Sequence, residues 1–154
     1  MTPAIIAAKK AGIAFTVHEY KHDPSTDSYG LEAARALGVD PSQVYKTLVT
    51  RVEGQLVVAL VPVNKNLDLK ALASVLGAKK AAMAEITDAE RATGYVAGGI
   101  SPLGQRKRLP TVVDESMLQF ETIYVSAGKR GLEIQLQPTD LIRLCQATPA
   151  AIAR

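Results

Sequence analysis

From Thr93 to Arg108 the chain reads Thr-Gly-Tyr-Val-Ala-Gly-Gly-Ile-Ser-Pro-Leu-Gly-Gln-Arg-Lys-Arg, a set of residue types suited to holding an anion. The adjacent glycines Gly98 and Gly99 carry no Cβ, so backbone N–H groups there can come close to a ligand. Pro102 fixes the exit of the loop and removes one donor. Arg106, Lys107 and Arg108 follow at once, which puts cations beside whatever the loop holds. The competing reading is a hairpin turn with a solvated basic flank.

Lys46 is the second candidate. In Val44-Tyr45-Lys46-Thr47-Leu48-Val49 it shares a strand face with Val44 and Leu48, because strand side chains alternate with a period of two. Lysine is rarely buried without a partner or a task. It either snorkels at a strand end or lines a cleft to hold a carbonyl oxygen, carboxylate or phosphate. Tyr20 ends a strand on its polar face, where it offers a hydroxyl at a pocket rim or simply packs at an edge. His18 and His22 flank it and read as surface residues. A third segment, Tyr124 to Glu133, lets Ser126 leave a strand, frames a turn with Gly128 and Gly131, and adds Lys129 and Arg130. A plain basic hairpin would look the same.

The single cysteine, Cys145, follows Leu141 and Ile142 by four and three residues on an expected helix. That spacing puts it on the apolar stripe, as a core residue and not a nucleophile. No Ser–His–Asp or Cys–His grouping is recognisable. One Cys and two His are too few for a closed zinc site, and neither a metal nor a cofactor is expected.

The elements that must position these residues come from the patterning. Thr2 caps a helix with Pro3 at its first position and Gly12 past its end. Ile13 to Tyr20 alternates, with Ile13, Phe15 and Val17 on one face and Thr16, His18 and Tyr20 on the other, and leads into a polar loop, Lys21 to Ser28. A short helix spans Gly30 to Leu37 and stops at Gly38. Asp40-Pro41 opens a turn. Val44 to Val52 is a strand, Glu53-Gly54 a tight turn and Leu56 to Val63 a return strand, apolar on both faces and therefore central. Leu67 to Leu76 is a helix ended by Gly77. Thr87-Asp88-Ala89-Glu90 is a capping-box pattern opening a helix that ends near Gly94. Beyond the glycine loop come strands at Thr111–Asp114, Thr122–Ser126 and Leu132–Leu136, then a helix from Pro138. Strands joined by both hairpins and helices predict an α+β fold, a mixed and mostly antiparallel sheet or barrel surrounded by short helices.

At 154 residues, with 47% hydrophobic and 21% charged residues, the chain has the size and composition of one soluble domain, residues 1–154. No apolar run approaches the ~20 residues that span a bilayer, and the first ten residues place their charges after the apolar part, unlike a signal peptide. A cytoplasmic protein without a membrane partner is expected. The net charge is only +3, so contact with nucleic acid must come from local clusters.

Taken together, Tyr20, Val44-Tyr45-Lys46-Thr47-Leu48, Thr93-Gly94-Tyr95, Gly98-Gly99-Ile100-Ser101-Pro102-Leu103-Gly104 and Ser126-Ala127-Gly128-Lys129-Arg130-Gly131 resemble the YbaK-type Cys-tRNA(Pro) deacylases. These belong to the proline-tRNA editing domains related to the insertion domain of bacterial prolyl-tRNA synthetase. The likeness spans essentially the whole chain. The Gly98-to-Pro102 pattern and Lys46 mark the wider group, and the longer strings mark the Cys-acting branch. At Glu133 the related proteins vary, often with Asp.

The resemblance implies hydrolysis of the ester joining a wrong amino acid to the 3′ end of proline tRNA, with the substrate's own cysteinyl thiol attacking its ester carbonyl. The catalytic set it implies is Lys46 with Gly98, Gly99, Ile100 and Ser101. Tyr20, Tyr95, Pro102, Ser126, Gly128 and Glu133 would bind substrate; Arg106, Lys107, Arg108, Lys129 and Arg130 would hold the tRNA. The implied partners are the acceptor end of tRNA(Pro) carrying cysteine and prolyl-tRNA synthetase. Two alternatives stand: removal of alanine from tRNA(Pro) by activated water, and a non-catalytic module that binds aminoacyl-tRNA or a synthetase.

Overall fold

A computed structural model describes residues 1–26 and 28–154; Asp27, within the expected polar loop, lies outside the described residues. Helix α1 (Pro3–Ala11) starts as its sequence dictates: the Thr2 hydroxyl accepts the Ile5 N–H, and Gly12 closes the helix in the left-handed conformation. The same hydroxyl donates to the carbonyl of Ala127, which ties the helix to the strand beneath it.

Two sheets carry the fold. The first is antiparallel, with β1 (Phe15–Glu19), β7 (Leu132–Leu136) and β6 (Ile123–Lys129) side by side. The second has the order β4 (Ala81–Met83), β2 (Tyr45–Val52), β3 (Gln55–Pro62), β5 (Thr111–Asp114) and β8 (Thr148–Ala150). Its β2–β3 and β2–β4 pairs are antiparallel, whereas β5 runs parallel to both β3 and β8. A parallel bridge, Val44 to Tyr124, joins the sheets.

Strand β3 is central, as its two apolar faces require. Val58 and Leu60 face a core shared with Ile123, Val125, Ile134, Leu136, α1 and Leu141 of α5 (Pro138–Cys145). Val57, Ala59 and Val61 face a second core with Leu72 of α3 (Leu69–Val75), Val112 and Ile152. Burying each such side chain contributes about 1.5–3 kcal/mol, enough to hold both sheets in one arrangement. On the first sheet the period of two sends Ile123, Val125, Ile134 and Leu136 inward. It leaves Tyr124, Ser126, Glu133 and Gln135 on the opposite face with His18. Val17 lies on the core side of the edge strand β1 yet remains 36% exposed, since β1 has no neighbour on its other side.

Helix α2 (Tyr29–Leu37) and helix α4 (Ile86–Thr93) flank the face that the functional residues occupy. The expected capping box on α4 does not form. The helix begins at Ile86, so Thr87 lies inside its first turn, and the Glu90 carboxylate accepts the Ala97 N–H at 2.8 Å. Strands β4 and β8 were not expected; three residues each are too few to show an alternating pattern.

Candidate active site

The polar face of the first sheet, the start of β2, helix α2 and the glycine loop enclose a cavity of about 370 Å³. Strand β2 can line it because β4 pairs only with Thr50–Val52, which leaves the Tyr45–Val49 stretch of that edge free of β4. Lys46 projects from this stretch, half-buried, without an acidic partner among the described residues. Burial pulls its ammonium below the usual lysine range.

Across the cavity, Glu133 of β7 is 7% exposed and has no hydrogen-bond or ion-pair partner among the described residues. Burial pushes its carboxyl up to about 8, so it is mainly protonated at neutral pH. Tyr20 follows β1 and lines the same wall; burial and the nearby Glu133 push its phenol up to about 12. Ser126 lines the wall too, but its hydroxyl accepts the Gly128 N–H at 3.1 Å, and no histidine lines the cavity to activate it.

The glycine loop contributes Ala97, Gly98 and Ile100. Its backbone is held internally: Tyr95 donates its hydroxyl to the Leu103 carbonyl at 2.6 Å, and the Gly99 N–H goes to the Val96 carbonyl at 2.9 Å. Gly99 therefore has no N–H to offer a substrate, while Gly98 and Ile100 keep theirs unpaired among the described residues. A Cβ on Gly99 would lie 2.7 Å from Lys129 Cα, so only glycine lets the loop pack on β6 here.

The structure brings Tyr20, Lys46, Gly98, Ile100, Ser126, Lys129 and Glu133 to one cavity. Gly99, Ser101, Tyr95, Pro102 and Gly128 lie behind it. Ser101 is fully buried and its hydroxyl accepts the Leu103 N–H; Tyr95 and Pro102 are buried, and Gly128 forms the bulge in β6. Their contacts shape the loop and do not face the cavity. Arg106, Lys107 and Arg108 line a separate groove of about 530 Å³ on the far side of α4, together with Arg51 and Arg91. Arg130 bonds to the protein itself, donating to the Ala97 carbonyl at 2.8 Å.

Other residues line the site without having been singled out as candidates by the sequence. Thr47 lies on the β2 edge, with a buried hydroxyl that has no partner among the described residues. Met83 and Ile86 form an exposed apolar lip, 51% and 64% accessible. The two histidines are half-buried instead of exposed, His18 bonded to Gln135 at 2.9 Å and His22 to Glu32 at 2.8 Å. Cys145 is outside the cavity, half-buried, with its thiol donated to the Pro102 carbonyl at 3.4 Å. Burial pushes that thiol up to about 12, so it is inert at neutral pH.

The model of the aminoacyl-tRNA editing domain matches residues 23–144, and the chain belongs to this family. It is 42% identical over 137 residues to EbsC of Enterococcus faecalis, a provisional Cys-tRNA(Pro)/Cys-tRNA(Cys) deacylase, covering 87% of this chain and 83% of that one. It is also 31% identical over 114 residues to the multifunctional Ser/Thr-tRNA deacylase ProXp-y of Escherichia coli, covering 71% and 68%. The crystal structure of a provisional trans-editing enzyme for prolyl-tRNA synthetase superposes with a TM-score of 0.87 at 25% identity, over 99% of this chain and 95% of that one. The expected α+β editing fold is thereby borne out.

Proposed function

We propose that residues 1–154 act as one trans-editing domain, cytoplasmic in location, that deacylates cysteine mischarged onto tRNA(Pro). The observation that carries this reading is a cavity with a cation and unpaired backbone N–H groups but, among the described residues, no activated protein nucleophile. Such a site stabilises charge on a reacting ester while leaving the attack to the substrate.

In this reading the cysteinyl thiol of the substrate attacks its own ester carbonyl. A C–S bond forms, the C–O bond to the terminal ribose breaks, and the thiol proton ends on the ribose hydroxyl. Water then opens the released thiolactone to free cysteine. The Lys46 ammonium favours the thiolate and balances the oxyanion, and the Gly98 and Ile100 N–H groups bond to that oxygen. Glu133 and Tyr20 border the substrate's amino group. The similarity to EbsC supports cysteine as the amino acid.

The groove of Arg91, Arg106, Lys107 and Arg108, which the Arg51–Asp88 ion pair also lines, suits the phosphates of the acceptor end, since helix α4 contributes residues to both the groove and the cavity. The similarity to ProXp-y favours a second reading, removal of serine or threonine by activated water.

The test is a deacylation panel with Cys-, Ala-, Ser- and Pro-charged tRNA(Pro). Accelerated loss of cysteine supports the proposal. Binding without acceleration of any ester would make the chain a carrier module and defeat it.

A further inference from the structure

Three consecutive peptide groups of the glycine loop are held differently, and the difference has a chemical direction. The Ala97 N–H donates to Glu90 at 2.8 Å, and the Gly99 N–H donates to Val96 O at 2.9 Å. Between them the Gly98 N–H has no partner among the described residues, although Gly98 lines the cavity. The carbonyl on the other side of that same peptide, Ala97 O, accepts the Arg130 guanidinium at 2.8 Å. Arg130 in turn lies over the Tyr29 ring, 4.3 Å from its centroid.

The carbonyl and N–H of a trans peptide point in opposite directions. A guanidinium that grips Ala97 O from outside therefore turns the Gly98 N–H inward. Gly98 has φ +89°, and a Cβ there would sit 2.3 Å from Arg130 Nε, so glycine is what lets the guanidinium come this close. That freedom has a cost: a peptide flanked by glycine rotates easily. A flip would aim the Ala97 carbonyl, not the Gly98 N–H, at a developing oxyanion. A charge-assisted hydrogen bond and the stacking on Tyr29 both oppose it.

We propose that Arg130 is a positioning residue that locks the Ala97–Gly98 peptide with its N–H toward the reacting carbonyl, with Glu90 holding the preceding peptide. Arg130 thus acts through the loop backbone and not on the tRNA. The proposal rests on the reading of the cavity as an aminoacyl-ester deacylase.

The test compares wild type, Arg130→Ala, Arg130→Lys and Tyr29→Leu on Cys-tRNA(Pro). The expected result for Arg130→Ala is a fall in kcat of about 100-fold, the size seen when one oxyanion donor is misplaced. Its KM, the salt dependence of tRNA binding and the melting temperature should hold. Arg130→Lys and Tyr29→Leu should fall between it and wild type. Millimolar guanidinium chloride should restore part of the Arg130→Ala rate, and potassium chloride at equal strength should not. An unchanged kcat with a raised, salt-sensitive KM would make Arg130 a phosphate contact and overturn the proposal. The Gly98 amide resonance gives a readout free of turnover: it should shift and broaden in Arg130→Ala. A wild-type chain that deacylates nothing would defeat the functional reading alone. An unchanged Gly98 resonance would still overturn the positioning role.

Discussion

Replacing Glu133 with Gln should alter how stability depends on pH far more than it alters stability at pH 5. The carboxyl is 7% exposed, without a partner among the described residues. Burial moves it from 4.5 to about 8. In the unfolded chain it ionises near 4.5, whereas the folded chain keeps its proton to about 8. Between those values the folded state binds more protons, so stability falls as pH rises. At 1.36 kcal/mol per pH unit the whole window is worth about 5 kcal/mol, of which about 3 is lost by pH 7. That is a large part of the 5–15 kcal/mol typical of a domain. Gln keeps the shape of the protonated acid and cannot ionise. Urea unfolding at pH 5, 6, 7 and 8 should give curves that nearly coincide at pH 5 and diverge steadily, with the Gln variant more stable at pH 8. Parallel curves over the whole range would refute the buried, protonated carboxyl.

Lys46→Ala should lower kcat/KM at least 100-fold while the melting temperature moves little, because its ammonium has no acidic partner to lose; near-normal kinetics would remove Lys46 from the mechanism. Cys145→Ser should keep deacylase activity and cost at most about 1 kcal/mol of stability, since its thiol faces Pro102 and not the cavity. Loss of turnover in the folded variant would contradict this. Reversing the charges of Arg106, Lys107 and Arg108 should weaken tRNA binding and flatten its salt dependence while a small cysteine ester is cleaved at its former rate. An unchanged slope would make the groove an ordinary solvated surface.

Much of this fold was legible because its signals are local. Thr2-Pro3 and Gly12 mark both ends of α1, and the doubly apolar run from Leu56 identifies the central strand. The cavity was legible in part. Lys46 and Gly98 stand out by type and setting, and Glu133 came from resemblance. The rest depends on which group each residue meets after folding. The N–H of Gly99 looks as available as that of Gly98 until Val96 takes it. Arg130 looks like Lys129 in sequence, yet one rims the cavity and the other grips the loop. Glu90 reads as a helix cap, but the helix starts before Thr87 and leaves the carboxylate for Ala97. Thr47 joins the site only because β4 is too short to cover the β2 edge beside it. The Arg130–Ala97 bond and the β2–β4 pairing join residues far apart in the chain, and the local bonds of Gly99 and Glu90 leave no mark in residue type or spacing.

Single-turnover deacylation of Cys-tRNA(Pro) and Ser-tRNA(Pro) at equal enzyme concentration tests the central claim most directly. The two substrates differ by one atom, and shape discrimination between near-isosteres is worth only ~1–3 kcal/mol. A thiol that performs the attack is a far better nucleophile near neutrality than a hydroxyl. Cysteine should therefore leave at least 1,000-fold faster than serine, with the ratio growing as pH rises toward the thiol's own ionisation. Comparable rates for the two, or rapid loss of alanine, would show that water does the work and that the substrate's thiol has no part in the reaction.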